Sequence, residues 1–294
     1  MSTPRWQSRA PCRYFPVEAT PLTMSPRLRP LGTDFGNGPA DHLYFQVDRE
    51  YEAYRAQKHR IAADQTPGAF GTREESEAQT LAHAAALAWA ETTVASEHPS
   101  IRATLSSTDS TPWRWQRLAL ALQEDLVLLH RDAVGHDRVL AFHVSFPSDW
   151  RPEAILGANF QKVHAAVPGF AEQPETARSL VRAMLERGPF VRFVWTLCAD
   201  SHLDHHPARH PRSRFTPDTR PGWLRVERQV TIPLPAVQAS VFLIRTYLTP
   251  FTALSDDERD TLSRAVTAMP EDVRRYKQLD PARVEPALRA AAAG

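Results

Sequence analysis

Over 294 residues, apolar side chains make up 42% and charged ones 23%, which excludes global disorder and leaves room for one large domain or two small ones. The 35 basic and 34 acidic residues nearly cancel, so net charge offers no argument for nucleic acid or an anionic membrane as the principal partner; a small neutral or weakly charged ligand stays open. Cys12 and Cys198 are the two cysteines, and their separation excludes a disulfide framework, a four-cysteine zinc site and a cysteine-held iron-sulfur cluster within this chain.

In chain order, residues 1–40 are rich in Pro and Gly, and we expect an irregular, extended lead-in. Its first residues are polar and carry Pro and Arg where a signal peptide needs an apolar run, and no later apolar stretch approaches the roughly 20 residues of a membrane helix. A cytoplasmic protein is therefore expected. Residues 49–63 and 73–96 show helical patterns, the second with Glu74, Glu75 and Glu77 at its start, where the helix dipole favours negative charge. Pro99 and a Ser/Thr-rich run over 104–112 break the pattern and mark a possible boundary, although one compact unit over 41–280 is the preferred division.

From Trp113 onward, β-rich runs alternate with helices. Residues 125–130 and 139–146 form an expected hairpin around Gly135, and three more strands are expected at 190–197, 223–231 and 240–248. Helices are expected at 153–164, at 174–187 before Gly188 and Pro189, and at 255–269, where Ser255 and Glu258 have capping-box spacing. The Ala-rich tail, 281–294, is expected to fray. Turns too short for parallel crossovers make this an α+β arrangement, a mainly antiparallel sheet packed with helices and a helical N-terminal half.

Polar residues inside apolar strands are the informative ones, because a buried charge is costly unless paired or used. Strict alternation puts Trp223, Arg225, Glu227 and Gln229 on one face of their strand. Arg245 shares a face with Tyr247, while Arg192 and His143 interrupt other strands. Such residues either form cross-strand salt bridges on a solvated face or line a ligand pocket. His164 ends its expected helix beside Ala165, Ala166 and Val167, where an accessible imidazole suits either a haem iron or simply the helix dipole. Around His202, His205, His206 and His210, prolines and arginines point to a solvated loop and not to a metal site. Dinucleotide, P-loop and serine-hydrolase signatures do not occur, and neither does the Cys-x-x-Cys-His of covalently attached haem.

An ordered series of motifs adds a resemblance. It comprises Leu28-Arg29-Pro30-Leu31, Gln123-Glu124-Asp125-Leu126 with Leu128-Leu129-His130-Arg131, and Phe146-Pro147-Ser148-Asp149-Trp150. His164-Ala165-Ala166-Val167-Pro168-Gly169-Phe170, Leu224-Arg225-Val226-Glu227-Arg228-Gln229, Ile244-Arg245-Thr246-Tyr247 and Tyr276-Lys277 follow. From Leu28 to Lys277 the chain resembles the catalytic subunit of the haem-dependent oxidative N-demethylase family.

That resemblance implies a PAS-like fold holding haem b, and oxygenase-type oxidative removal of a methyl group from a small methylated amine with release of formaldehyde. It implies dioxygen as co-substrate and electrons delivered through flavin and an iron-sulfur centre on reductase or ferredoxin partners. It further implies His164 as the axial iron ligand and Glu227 as the catalytic partner of the substrate ammonium or a proton donor. Arg225 and Arg245, with Tyr247, would contact the haem, the guanidinium forks suiting its propionates. A non-catalytic PAS-like sensor of haem or a small ligand, and a regulatory partner without cofactor, remain the alternatives.

Overall fold

The computed structural model describes residues 12–19, 26–64, 68–102 and 111–292. Most of the lead-in before Cys12, and the Ser/Thr-rich run from residue 104 as far as 110, lie outside the described residues.

A single seven-stranded sheet runs through the molecule, and all its neighbouring strands are antiparallel. In chain order the strands are β1 (Arg29–Pro30), β2 (Phe70–Thr72), β3 (Asp125–Arg131), β4 (Asp137–His143), β5 (Phe190–Cys198), β6 (Trp223–Leu234) and β7 (Ala239–Pro250). Across the sheet they lie in the order β1-β5-β6-β7-β3-β4-β2. The β3–β4 hairpin and the β5–β6–β7 meander are thus joined by β7 returning beside β3. All five strands expected from the sequence form. The two added edge strands are two and three residues long, too short to carry a periodicity.

Helices α1 (Tyr51–Ala63), α2 (Glu77–Glu97), α3 (Pro99–Arg102) and α4 (Thr111–Leu120) precede β3. Ser76 caps α2 by accepting the amide of Gln79, which starts the helix after Glu74 and frees that carboxylate to pair with Nδ1 of His83 at 2.5 Å. The expected helix over 153–164 is instead interrupted. A 3-10 turn at Pro152–Ile155 ends at Gly157, whose φ of +73° favours glycine, and Asn159 then caps the short α5 (Phe160–Val163). Helix α6 (Pro174–Glu186) follows, and α7 (Asp256–Ala268) carries the capping box read from Ser255 and Glu258.

The C-terminal stretch expected to fray is helical. After α8 (Glu271–Lys277), α9 (Pro281–Ala292) buries Val284, Ala287 and Leu288 in the same cluster as Leu262 and Val266 of α7, so tertiary packing holds what composition alone leaves loose. Among the described residues, no helix is long and apolar enough to cross a membrane.

Cross-strand register sorts side chains between the two faces of the sheet. Leu126, Leu128, Val230, Val241 and Leu243 pack under α2 and α4, and Leu224, Val226 and Tyr247 share a cluster with residues of α7 and α9. On the other face, Val127, Leu129 and Phe142 meet Val181, Met184 and Leu185 of α6. Each of those three helix side chains contributes roughly 1.5–3 kcal/mol by leaving water. This second face also carries Arg192, Arg225, Glu227 and Gln229, beyond the patch that the apolar side of α6 covers.

Candidate functional site

His164 stands at the C-terminal cap of α5. Its Nδ1 lies 2.9 Å from the carbonyl oxygen of Phe160, an arrangement that places the proton on Nδ1 and leaves the lone pair on Nε2. Burial pushes its pKa down to about 4, helped by the positive field of Arg192 and opposed by the bond to Phe160. The imidazole is therefore neutral at pH 7. Its ring packs against Phe160 and Phe170, with centroids 4.1 and 5.5 Å away, and the two phenyl rings also touch each other at 5.9 Å. Among the described residues no group hydrogen-bonds Nε2.

Glu227 pairs in register with Val194 of β5 and Thr246 of β7. Gln229 lies one step along the same face, opposite Arg192. Nε of Arg192 donates to Oε1 of Gln229 at 2.7 Å, and Nε2 of Gln229 donates to Oε2 of Glu227 at 2.9 Å. The other oxygen of Glu227 lies 3.5 Å from Nε of Arg225. One row of side chains thus joins the cation beside His164 to a fixed carboxylate. Tyr276 and Lys277 of α8 lie within the field of Glu227, and Tyr276 within that of Arg192. Nζ of Lys277 donates to the carbonyl of Trp195 at 2.6 Å, on the outer edge of β5 beyond its short pairing with β1. A second cation, Arg212, donates through Nη2 to Oγ1 of Thr196 at 3.1 Å and to the carbonyl of Leu197.

Of the residues singled out in the sequence, the structure brings together His164, Arg192 and Glu227, with Arg225 next to Glu227. Arg225 is nevertheless committed elsewhere. Its Nη1 donates to the carbonyl of Leu203 at 2.8 Å and its Nη2 to that of Phe146 at 2.6 Å, so it ties two loops to the sheet. Arg245 and Tyr247 fall on the opposite face, because Arg245 is in register with Arg228 while Glu227 is in register with Thr246. There Arg245 lies 3.1 Å from Asp48 and stacks over the rings of Tyr54 and Tyr247, at 4.1 and 4.8 Å. The expectation that Arg245 and Tyr247 join the His164 site is corrected accordingly. His143 also faces that side, fully buried, and burial followed by the charge of Lys58 keeps it neutral.

The histidine-rich segment is only in part the solvated loop expected, with His202 and His210 exposed. His205 and His206 are completely buried, each beside a carboxylate: Nε2 of His205 lies 2.8 Å from Asp200, and Nε2 of His206 lies 3.0 Å from Glu153. Asp204 pairs with Arg209 at 2.7 Å. Burial opposes charge on His205, but the hydrogen bond to Asp200 and the interaction with Cys198 together outweigh it and raise the imidazole above its ordinary 6.5. Burial likewise opposes ionisation of Asp200, and the hydrogen bonds from His205 and His202 overcome it, lowering the carboxyl below 3.8. A raised imidazole stabilises the fold below pH 6.5 and loses its effect as pH climbs through its folded value; a depressed carboxyl acts above 3.8 and fails as pH falls. Asp200→Asn should therefore cost about 1.5–3 kcal/mol between those limits, with a smaller cost at alkaline pH. Thermal melts across pH check this, and a constant cost would contradict it.

A haem needs a neutral imidazole nitrogen with a free lone pair, apolar walls and cations for its propionates. His164 with an unpartnered Nε2, Phe160 and Phe170 beside it, and Arg192 in its field fit those demands, whereas Arg245 and Tyr247 do not contribute. The family model described as haem-dependent oxidative N-demethylase, alpha subunit-like, matches residues 39–285.

Proposed function

Because the chain belongs to the haem-dependent oxidative N-demethylase alpha subunit-like family, we propose that it removes the methyl group of a small methylated amine oxidatively and releases formaldehyde, with haem b held by His164. The observation that carries this reading is the His164 imidazole, neutral, oriented by the Phe160 carbonyl and open at Nε2, on the same side of the sheet as a fixed carboxylate. A PAS-like assignment accords with the strand order, in which a hairpin and a three-stranded meander meet at the central β7–β3 pair and the helices inserted between β4 and β5 lie on the site's side of the sheet.

His164 would hold the haem iron through Nε2, and Arg192 would take the place expected of Arg245 as a guanidinium for a propionate. When bound, the haem would supply activation of dioxygen: with two electrons from partner proteins and two protons, one oxygen atom leaves as water and the other enters an N-methyl C–H bond, giving a carbinolamine that breaks down to amine and formaldehyde. Glu227 binds the substrate ammonium or passes a proton, since a carboxylate in a partly water-excluded site attracts an ammonium far more strongly than one in bulk water. Gln229 and Arg225 fix where its two oxygens lie. Electrons would come from flavin and iron-sulfur partners, because Cys12 and Cys198 cannot hold a cluster.

The test is formaldehyde release by the haem-loaded protein, given a reducing system and a panel of methylated amines. We expect amine-dependent turnover, reduced about 100-fold or more in Glu227→Gln with haem content unchanged. Full haem loading without turnover of any amine would instead favour a sensor.

A further inference from the structure

Two neighbouring cations, Arg212 and Lys277, have no ion-paired carboxylate among the described residues. Lys277 donates to the carbonyl of Trp195 and Arg212 to that of Leu197. Those carbonyls are two residues apart on the outer edge of β5, beyond its pairing with β1, a spacing of about 7 Å. Every hydrogen-bond acceptor of the pair is a neutral oxygen: two backbone carbonyls and the hydroxyl of Thr196. Among the described residues neither side chain forms an ion pair with a carboxylate. Glu227 is nearby, but its two oxygens face Gln229 and Arg225. Like charges near one another repel, and the pKa of Lys277 is lowered to about 8 by burial and by Arg212, against the opposing charge of Glu227. Such a pair is stabilised when an anion lies between its members.

We propose that Arg212 and Lys277 form a carboxylate-binding subsite at the β5 edge, next to Glu227. A guanidinium fork and an ammonium together suit a carboxylate, and both are anchored on main-chain oxygens of one strand, so the subsite is preorganised. Resting on the haem reading, two ligands bring this group: a haem propionate, or a methylated amine that itself carries a carboxylate, such as an N-methyl amino acid. The second would be a zwitterion with its ammonium at Glu227 and its carboxylate at Arg212 and Lys277.

The experiment compares wild type with Arg212→Gln, Lys277→Gln and the conservative Lys277→Arg. Haem-free protein is titrated with iron protoporphyrin IX and with its dimethyl ester, and KM is measured on haem-loaded protein for N-methylglycine and dimethylamine. If a propionate is bound, the Gln variants bind the diacid about tenfold or more weakly, esterification costs wild type a similar factor, and the variants no longer distinguish diacid from ester. If the substrate carboxylate is bound, the porphyrin titrations coincide and the KM ratio of N-methylglycine to dimethylamine rises about tenfold or more in the Gln variants. Lys277→Arg retains binding in either case. Unchanged porphyrin affinity together with an unchanged KM ratio overturns the subsite. Should wild type take up neither porphyrin, the haem reading fails by itself. The melting temperature of haem-free protein then decides: acetate, against chloride at equal ionic strength, raises it in wild type and not in the Gln variants if the subsite exists, and affects all alike if it does not.

Discussion

His164→Ala is expected to yield a folded protein whose affinity for haem is lower by at least about 100-fold. Losing even an outer partner of a metal ligand typically costs 10- to 100-fold in affinity, and here the ligand itself is removed. The fold should tolerate the change. His164 sits at the end of a four-residue helix, and the bond its imidazole makes to the Phe160 carbonyl is worth roughly 1 kcal/mol. His143 and the buried pair His205 and His206 cannot substitute, since the first faces the other side of the sheet and the others are engaged with carboxylates. Titration of haem-free protein with haem, followed by absorbance, measures the loss, and added imidazole should restore part of it. Undiminished binding would place the iron elsewhere.

The largest effect on stability is expected at Asp125. Its carboxylate lies 3.1 Å from Nζ of Lys58 and accepts the amides of Ser145 at 3.0 Å and Phe146 at 2.8 Å, and both charged side chains are almost wholly buried. Burial already pulls the Lys58 ammonium down, with Asp125 holding it up. Asp125→Ala would strand that cation and orphan two amides where β4 turns toward the Phe146 corner, at a cost of about 3–5 kcal/mol. Replacing both partners, as in Lys58→Met with Asp125→Leu, should cost distinctly less, because no unpaired charge is left inside. Denaturant unfolding of the single and double variants decides. A single variant within about 1 kcal/mol of wild type would show that the pair is hydrated and not buried.

The strands were legible because each carries its own alternation, and the same alternation correctly put Arg225, Glu227 and Gln229 on one face. Which face Arg245 joins was not legible. Period two sorts side chains within a strand, whereas relating β6 to β7 requires their register, set by the connection through Pro235–Val237 and Gln238, which adopts a left-handed conformation with φ +47°. A one-residue slip would have delivered Arg245 to the Glu227 face. His164 was found from its place at the end of a helical pattern, although the helix is far shorter than expected because of Gly157. His205 and His206 were misjudged since local Pro and Arg suggest solvent, while part of what buries them comes from afar: the partner of His206 is Glu153, 53 positions earlier. Lys277 stood in a motif without an assigned role, and Arg212 had no sequence signal, because both depend on carbonyls of β5 that composition does not reveal.

The central claim is that the face of the sheet bearing His164 and Glu227 holds haem. Its most direct test is the ultraviolet-visible spectrum of the full chain purified from haem-supplied cells, recorded oxidised and then dithionite-reduced under carbon monoxide. A Soret band at one haem per chain that shifts on reduction and carbon monoxide binding is the predicted result. A colourless protein that cannot be reconstituted with haem would contradict it.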